Sequence, residues 1–242
     1  MIEQALILAA GAGSRIVGHV VQPHKAMVEV AGKPILQHTC ERLLDSGVRD
    51  IVITINPAGE PLRSMMQARD SIQDHLTFVV NEEWERGNGT SVLAAAPSLS
   101  DRFILTMADH VFDPQIVARM CRQRVERGQV ALAIDRKLQD IHDMDDATKA
   151  LLDGDRVRAL GKQLEQFNAI DTGMFVCSGE LIDSVRLAAS PGGEINLSAG
   201  LQSVIEAGQL LFVDVGDAWW QDVDTPSALE HAKSLVSRDS SG

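Results

Sequence analysis

Residues Leu6 to Lys25, LILAAGAGSRIVGHVVQPHK, decide how the chain is read. A short apolar run ends in a small-residue loop. The loop delivers one arginine, Arg15, and ten residues later one lysine, Lys25. An apolar strand, a tight backbone and spaced cations together suit the triphosphate of a nucleotide. The glycines alone are weak evidence. A dinucleotide fingerprint needs G-x-G-x-x-G, but Gly11-Ala12-Gly13 runs into Ser14, Arg15 and Ile16 without a third glycine. A Walker loop needs G-x-x-x-x-G-K-[ST], and Gly13 and Gly18 are followed by His19 and Val20. An ordinary strand-to-helix turn, in which glycine supplies positive φ, explains the loop equally well on its own.

Working outward, 242 residues are enough for one large domain with a sizeable core. The net charge of −12 and the absence of a basic tract argue against nucleic acid or an anionic membrane surface as partners. Cys40, Cys121 and Cys177 are scattered and odd in number, which fits reduced thiols in a cytoplasmic protein. No signal-like start and no run of 18 apolar residues is present, so a soluble, cytoplasmic chain is expected. The polar end, residues 237–242, reads as a disordered tail after a domain spanning residues 1–236. It is either a natural end or the start of a cut linker.

Gln4–Ala9, Asp50–Ile55, Leu76–Val80, Arg102–Met107 and Val130–Ile134 are short apolar runs of the kind found in buried parallel strands. Met27–Val30 reads as a short extended piece. Helices are expected from Pro34 to about Ser46, over Pro61–Arg69, Asn88–Leu99 and Pro114–Arg127. This alternation predicts an α/β fold: a single Rossmann-like domain whose central sheet is mostly parallel and flanked by helices. Beyond Asp135 the pattern changes. Thr148–Leu152 and Arg156–Leu160 flank Asp153-Gly154-Asp155, a hairpin signal, and Ile170–Cys177 is another strand. Helices are expected over Leu181–Ala188 and Glu194–Ala207, then a strand over Leu210–Val215 and a closing helix from Pro226 to about Val236. This second half should form a smaller, β-rich substrate or lid portion. The closing helix could pack internally or across a homodimer.

Ligands of such sheets sit at the carboxyl ends of the strands. The glycine loop and Asp109 both follow strands, and Asp222 and Asp224 follow a late one beside two tryptophans. Carboxylates gathered there suit magnesium, a hard cation with oxygen ligands. Taken singly, each aspartate is more often a helix cap or turn residue; it is their common sheet edge that favours a metal. Lys149 and Lys162 read singly as surface lysines. His110 and His142 lack metal-ligand spacing and receive no catalytic role. Glu82, Glu83 and Glu85 read as a solvated acidic segment.

LAAGAGSR, followed by HKAMVEVAGKPIL at His24–Leu36, resembles the opening of nucleotidyltransferases that activate sugar phosphates and related alcohol phosphates. Further segments resemble the CTP:inositol-1-phosphate cytidylyltransferase group. They are RGNGTSVL at Arg86–Leu93, DRFILTMADH at Asp101–His110, DATK at Asp146–Lys149, DTGMFV at Asp171–Val176 and WQDVDT at Trp220–Thr225. The resemblance runs from Ala5 to about Val236. Two departures stand out: the family's proline before the loop lysine is His24 here, with Pro23 displaced by one, and the loop is a few residues longer, through Val17 to Val21.

The resemblance implies that CTP reacts with a small phosphorylated alcohol to give a CDP-alcohol and pyrophosphate. Inositol 1-phosphate is the first choice of acceptor. A phosphonate such as 2-hydroxyethylphosphonate, phosphocholine, or a sugar 1-phosphate with another nucleotide are alternatives. A non-catalytic nucleotide-binding module is the competing class. Arg15, Lys25, Lys162 and Lys149 are implied as catalytic phosphate contacts. Asp109 and Asp222, with Asp224 as neighbour, are implied as Mg2+ ligands. The nucleotide would meet Leu8, Ala9, Ala10, Gly11, Ala12, Gly13, Ser14, Asn88, Gly89, Thr90, Ser91 and Ala108. The acceptor would meet Asp171, Thr172, Gly173 and Glu194.

Overall fold

A computed structural model describes residues 1–11, 24–189 and 192–239. Strand β1 (Gln4–Ala9) enters the core directly. A single 3-10 turn (Lys25–Met27) leads to a small hairpin of β2 (Glu29–Val30) and β3 (Lys33–Pro34). Helix α1 (Ile35–Asp45) follows and is stopped at Gly47, whose φ is +99°. Then come β4 (Asp50–Ile55), α2 (Glu60–Gln67), β5 (Leu76–Val80), α3 (Gly89–Ala95) and β6 (Arg102–Met107). β7 (His110–Phe112) precedes α4 (Pro114–Arg122), which is capped by the Asp113 carboxylate accepting from the Gln115 amide at 2.8 Å. The second half contains β8 (Val130–Asp135), β9 (Lys149–Asp153), β10 (Arg156–Gly161), β11 (Ala169–Ser178), α5 (Glu180–Ala188), α6 (Leu197–Glu206), β12 (Leu210–Asp214), β13 (Trp220–Asp222) and α7 (Pro226–Asp239).

Nine of these strands form one sheet in the order β5-β4-β1-β6-β11-β8-β12-β10-β9. β5, β4, β1 and β6 are parallel neighbours. β11 runs against both β6 and β8, and β10 against both β12 and β9. The parallel half follows the expectation, while the second half is mixed. Apolar runs make these strands because both faces are covered. Ala5, Ile7 and Ala9 pack into one core cluster, and Leu6 and Leu8 into the other, as period-two alternation dictates.

The chain leaves β1 toward β4 on one side and returns to β6 on the other. This is a topological switch point, and the crevice beyond the ends of β1 and β6 is where such sheets bind ligands. A separate two-stranded sheet of β7 and β13 stands beside that crevice and pairs His110 with Asp222. A third apolar cluster joins Val28, Val30, Ile35 and Val111 to Leu229, Ala232 and Val236, so α7 packs on its own chain. That helix reaches Asp239, which makes residues 237–239 helical where the sequence reading has a tail. Among the described residues, no helix is long and apolar enough to cross a membrane.

Candidate active site

The site begins where β1 ends. The Ala108 amide donates to the Leu8 carbonyl at 3.1 Å, tying the end of β6 to β1. The Ala10 carbonyl accepts from Asn56 Nδ2 at 3.0 Å. His24 Nε2 lies 2.9 Å from the Ala9 carbonyl, and its Nδ1 accepts from the Ala26 amide at 3.1 Å. These two bonds require a neutral ring with the proton on Nε2. Burial agrees, since it pushes the His24 pKa below its ordinary value. The displaced proline is thus replaced by a side chain that pins the lysine-bearing turn to β1.

Lys25 is buried, 6% exposed. Its Nζ donates to Asp109 Oδ2 at 2.8 Å and is also paired with Asp224 Oδ1. One buried ammonium thus gathers carboxylates from the end of β6 and from the turn after β13. The other Asp109 oxygen accepts from His110 Nδ1. Burial alone would raise the Asp109 pKa, but the adjacent His110, and then Lys25, hold it well below the usual carboxylate range. Asp109 and then Asp222 raise the His110 pKa against the effect of burial.

Beside this group opens a cavity of about 600 Å³. It is lined by His110, Asp146, Lys162, Asp171, Asp222 and Asp224 on its polar side and by Leu160, Phe175, Leu197 and Leu201 on its apolar side. Lys162 Nζ pairs with Asp146 Oδ1. Oxygens of Asp146, Asp222 and Asp224 lie within 4.8 Å of one another. Such an all-oxygen donor set suits magnesium or calcium. The sharing of Lys25 points to Asp224, rather than Asp222, as the aspartate that converges with Asp109. Asp222 instead accepts from Gln221 Nε2 at 3.0 Å.

The structure places several of the expected residues away from the cavity. Thr172 is fully buried, with its hydroxyl donating to the Ala133 carbonyl at 2.9 Å, so it is turned to the core. Glu194 is exposed, takes a bond from Asn196 Nδ2 and is not among the residues lining the cavity. Lys149 Nζ donates to the Lys162 carbonyl at 2.8 Å, which supports the strand carrying Lys162 rather than reaching the cavity itself. Thr90 and Ser91 are buried, and their hydroxyls accept from Asn81 Nδ2 at 2.8 and 3.0 Å. They therefore brace the start of α3 from behind. Arg15, Ala12, Gly13 and Ser14 lie outside the described residues.

Other expectations come together. Asn88 lines the cavity, and its Oδ1 accepts from the Leu197 amide at 2.9 Å, joining α3 to the start of α6. The Gly89 amide donates to the Ile195 carbonyl at 2.8 Å, and a Cβ there would stand 2.7 Å from that oxygen. Asp171 and Gly173 line the cavity at an irregularity in β11, between Asp171 and Phe175. Gly173 has φ +78°, and its amide donates to Asp171 Oδ1 at 2.7 Å. Burial pushes the Asp171 carboxyl up to about 6.

Sequence reasoning gave no role to Asp146 or His110, both of which line the cavity. Asp146 opens the DATK segment, but an acidic loop gives no signal that separates it from Asp143 or Asp145. His110 becomes visible only when β7 pairs with β13.

A profile of the MobA-like NTP transferase domain matches residues 5–143. The "Bifunctional IPC transferase and DIPP synthase" of Thermococcus kodakarensis is 32% identical over 98% of this chain and 51% of its own length. The protein of the same name from Rubrobacter xylanophilus is 34% identical over 96% of this chain and 51% of its own. The chain thus spans about half the length of these curated relatives. Among solved structures, the inositol-1-phosphate CTP transferase from T. maritima superposes with a TM-score of 0.86 at 24% identity, covering 97% of this chain and 96% of that one.

Proposed function

The chain belongs to the MobA-like NTP transferase family, and from that premise we propose that it is a magnesium-dependent cytidylyltransferase. It would join CTP to a small phosphorylated alcohol, inositol 1-phosphate first, and release pyrophosphate. The observation that carries this reading is the meeting of Lys25 with Asp109 and Asp224, the last of which lines a cavity together with Lys162. The sequence similarity to relatives named IPC transferase supports the choice of base and acceptor, and the fold shared with an inositol-1-phosphate CTP transferase accords with it.

The acceptor's phosphate oxygen attacks the α-phosphorus of CTP. A new P–O bond forms as the bond to the bridging oxygen of the β-phosphate breaks, and pyrophosphate leaves. The nucleophile is already an anion, so no base need remove a proton. The residues act by position and charge. Lys25 would meet the leaving phosphates, a role the family resemblance also assigns to Arg15, and Lys162 would draw the acceptor phosphate against its own repulsion from the nucleotide. Asp109 and Asp224, with Asp222 and Asp146 nearby, would hold the divalent ion that nucleotidyltransferases generally use; when bound it neutralises phosphate charge. Asp171 and Gly173 would face the alcohol part of the acceptor.

The test is pyrophosphate release with magnesium, crossing CTP, UTP, GTP and ATP with inositol 1-phosphate, phosphocholine, glucose 1-phosphate and 2-hydroxyethylphosphonate. Release with CTP and inositol 1-phosphate supports the proposal in full. Release with CTP and another acceptor overturns the acceptor alone. Failure of CTP to bind overturns the cytidylyltransferase reading.

A further inference from the structure

His110 lies beside this chemistry without taking part in the reaction as written. Resting on the cytidylyltransferase reading, we propose that His110 is a positioning residue: its imidazole decides which Asp109 oxygen is presented to the divalent ion. A carboxylate offers two oxygens, and magnesium prefers one oxygen from each carboxylate in a strict octahedron. Asp109 Oδ1 is taken by His110 Nδ1, so Oδ2 is the oxygen turned to Lys25, whose ammonium is shared with Asp224. A histidine that donates to a ligating carboxylate tunes and orients the ligand.

Three independent features hold the ring in place. It stacks between Phe112 and Trp220, with centroids 5.9 and 6.1 Å away and interplanar angles of 20° and 9°. Its backbone carbonyl accepts from Thr39 Oγ1 at 3.0 Å, and its strand pairs with Asp222. Its far edge fills the space beside Gly173, where a Cβ would come within 2.8 Å of Nε2. The ring therefore also forms part of the wall on which the acceptor would lie. A ring needed only for packing would not require its one directed bond to end on Asp109.

The experiment measures Mn2+ binding by electron paramagnetic resonance, with CTP present, alongside the metal concentration for half-maximal pyrophosphate release. His110→Phe keeps a flat ring for the stack and removes the donor. His110→Asn places an amide donor near the position of Nδ1, and His110→Gln near that of Nε2. Phe and Gln are expected to weaken Mn2+ binding roughly 10–100-fold, with Asn close to wild type. A folded Phe variant with wild-type Mn2+ binding overturns the proposal. If the Phe variant does not fold, equal Mn2+ affinity in the Asn and Gln variants overturns it. Absence of CTP-dependent Mn2+ binding in the wild type removes the functional reading as well, so the two failures are distinguishable.

Discussion

The two lysines of the site are set in opposite ways. Lys25 has a side chain only 7% exposed, between two carboxylates that are 31% and 18% exposed. Lys162 is 49% exposed and meets one carboxylate, Asp146, that is 30% exposed. A buried ammonium between two aspartates is fixed, because pulling one charge away leaves the others uncompensated in a poor solvent. An exposed pair is worth about 0–1 kcal/mol and opens readily. On the proposed reading, the end of the site that would organise a triphosphate and an ion is thus built in advance. The end that would admit an acceptor could release its lysine to the arriving phosphate.

Asp109→Asn is expected to have the largest effect. It keeps the shape and loses the charge that Lys25, His110 and an ion all use. Turnover should fall on the order of 10³-fold, measured as pyrophosphate release at saturating CTP. Turnover within a few-fold of wild type would remove Asp109 from the chemistry and leave the buried triangle a purely structural feature.

Lys25→Met sharpens the same contrast through stability. It leaves Asp109 and Asp224 facing each other without their cation, a loss of about 3–5 kcal/mol for breaking a buried pair. Magnesium with CTP should restore part of the melting temperature, since a second cation can take the empty place between the carboxylates. A melting temperature indifferent to magnesium would mean that no ion enters between Asp109 and Asp224.

Lys162→Ala should show the reverse profile. Its melting temperature should barely move, as expected for an exposed pair. Its kcat/KM for the acceptor should drop about 100-fold, with CTP binding unchanged. Calorimetric titration of CTP separates the two: weaker CTP binding would show that both lysines serve one substrate, and the division into two ends would fail.

How much of this could be read before the fold was known depends on the range of the interactions. The parallel strands were legible because each is a short apolar run that states its own burial, Asp50–Ile55 above all. The placement of Lys25 and Asp109 followed from the rule that ligands gather at strand ends. The β7–β13 pairing was not legible. Each strand is three residues long, and they lie about a hundred residues apart in the chain, so nothing local announces them. The placement of His110 opposite Asp222 depends on that pairing. Thr172 was misread for a related reason. It sits between Asp171 and Gly173 in sequence, but alternation along β11 turns it to the core, and only the register reveals that its two neighbours, and not Thr172, line the cavity. Lys149 shows the same limit in β9, where the fold aims its ammonium at a backbone oxygen.

The smallest expected effect concerns Asp171, on the acceptor wall. Burial raises its pKa from about 3.8 in the unfolded chain to about 6 when folded. A carboxyl with a raised folded-state pKa favours the folded state fully below pH 4 and loses that contribution as the pH climbs through 6. Asp171→Asn cannot ionise, yet its amide oxygen can still accept from the Gly173 amide. The variant should therefore match the wild type near pH 4 and melt a few degrees higher at pH 8. Melting curves across that range read the difference directly. Equal melting temperatures at pH 8 would mean that the carboxylate is as well accommodated as the amide, and the acceptor wall would then be as settled in its charge as the triangle around Lys25.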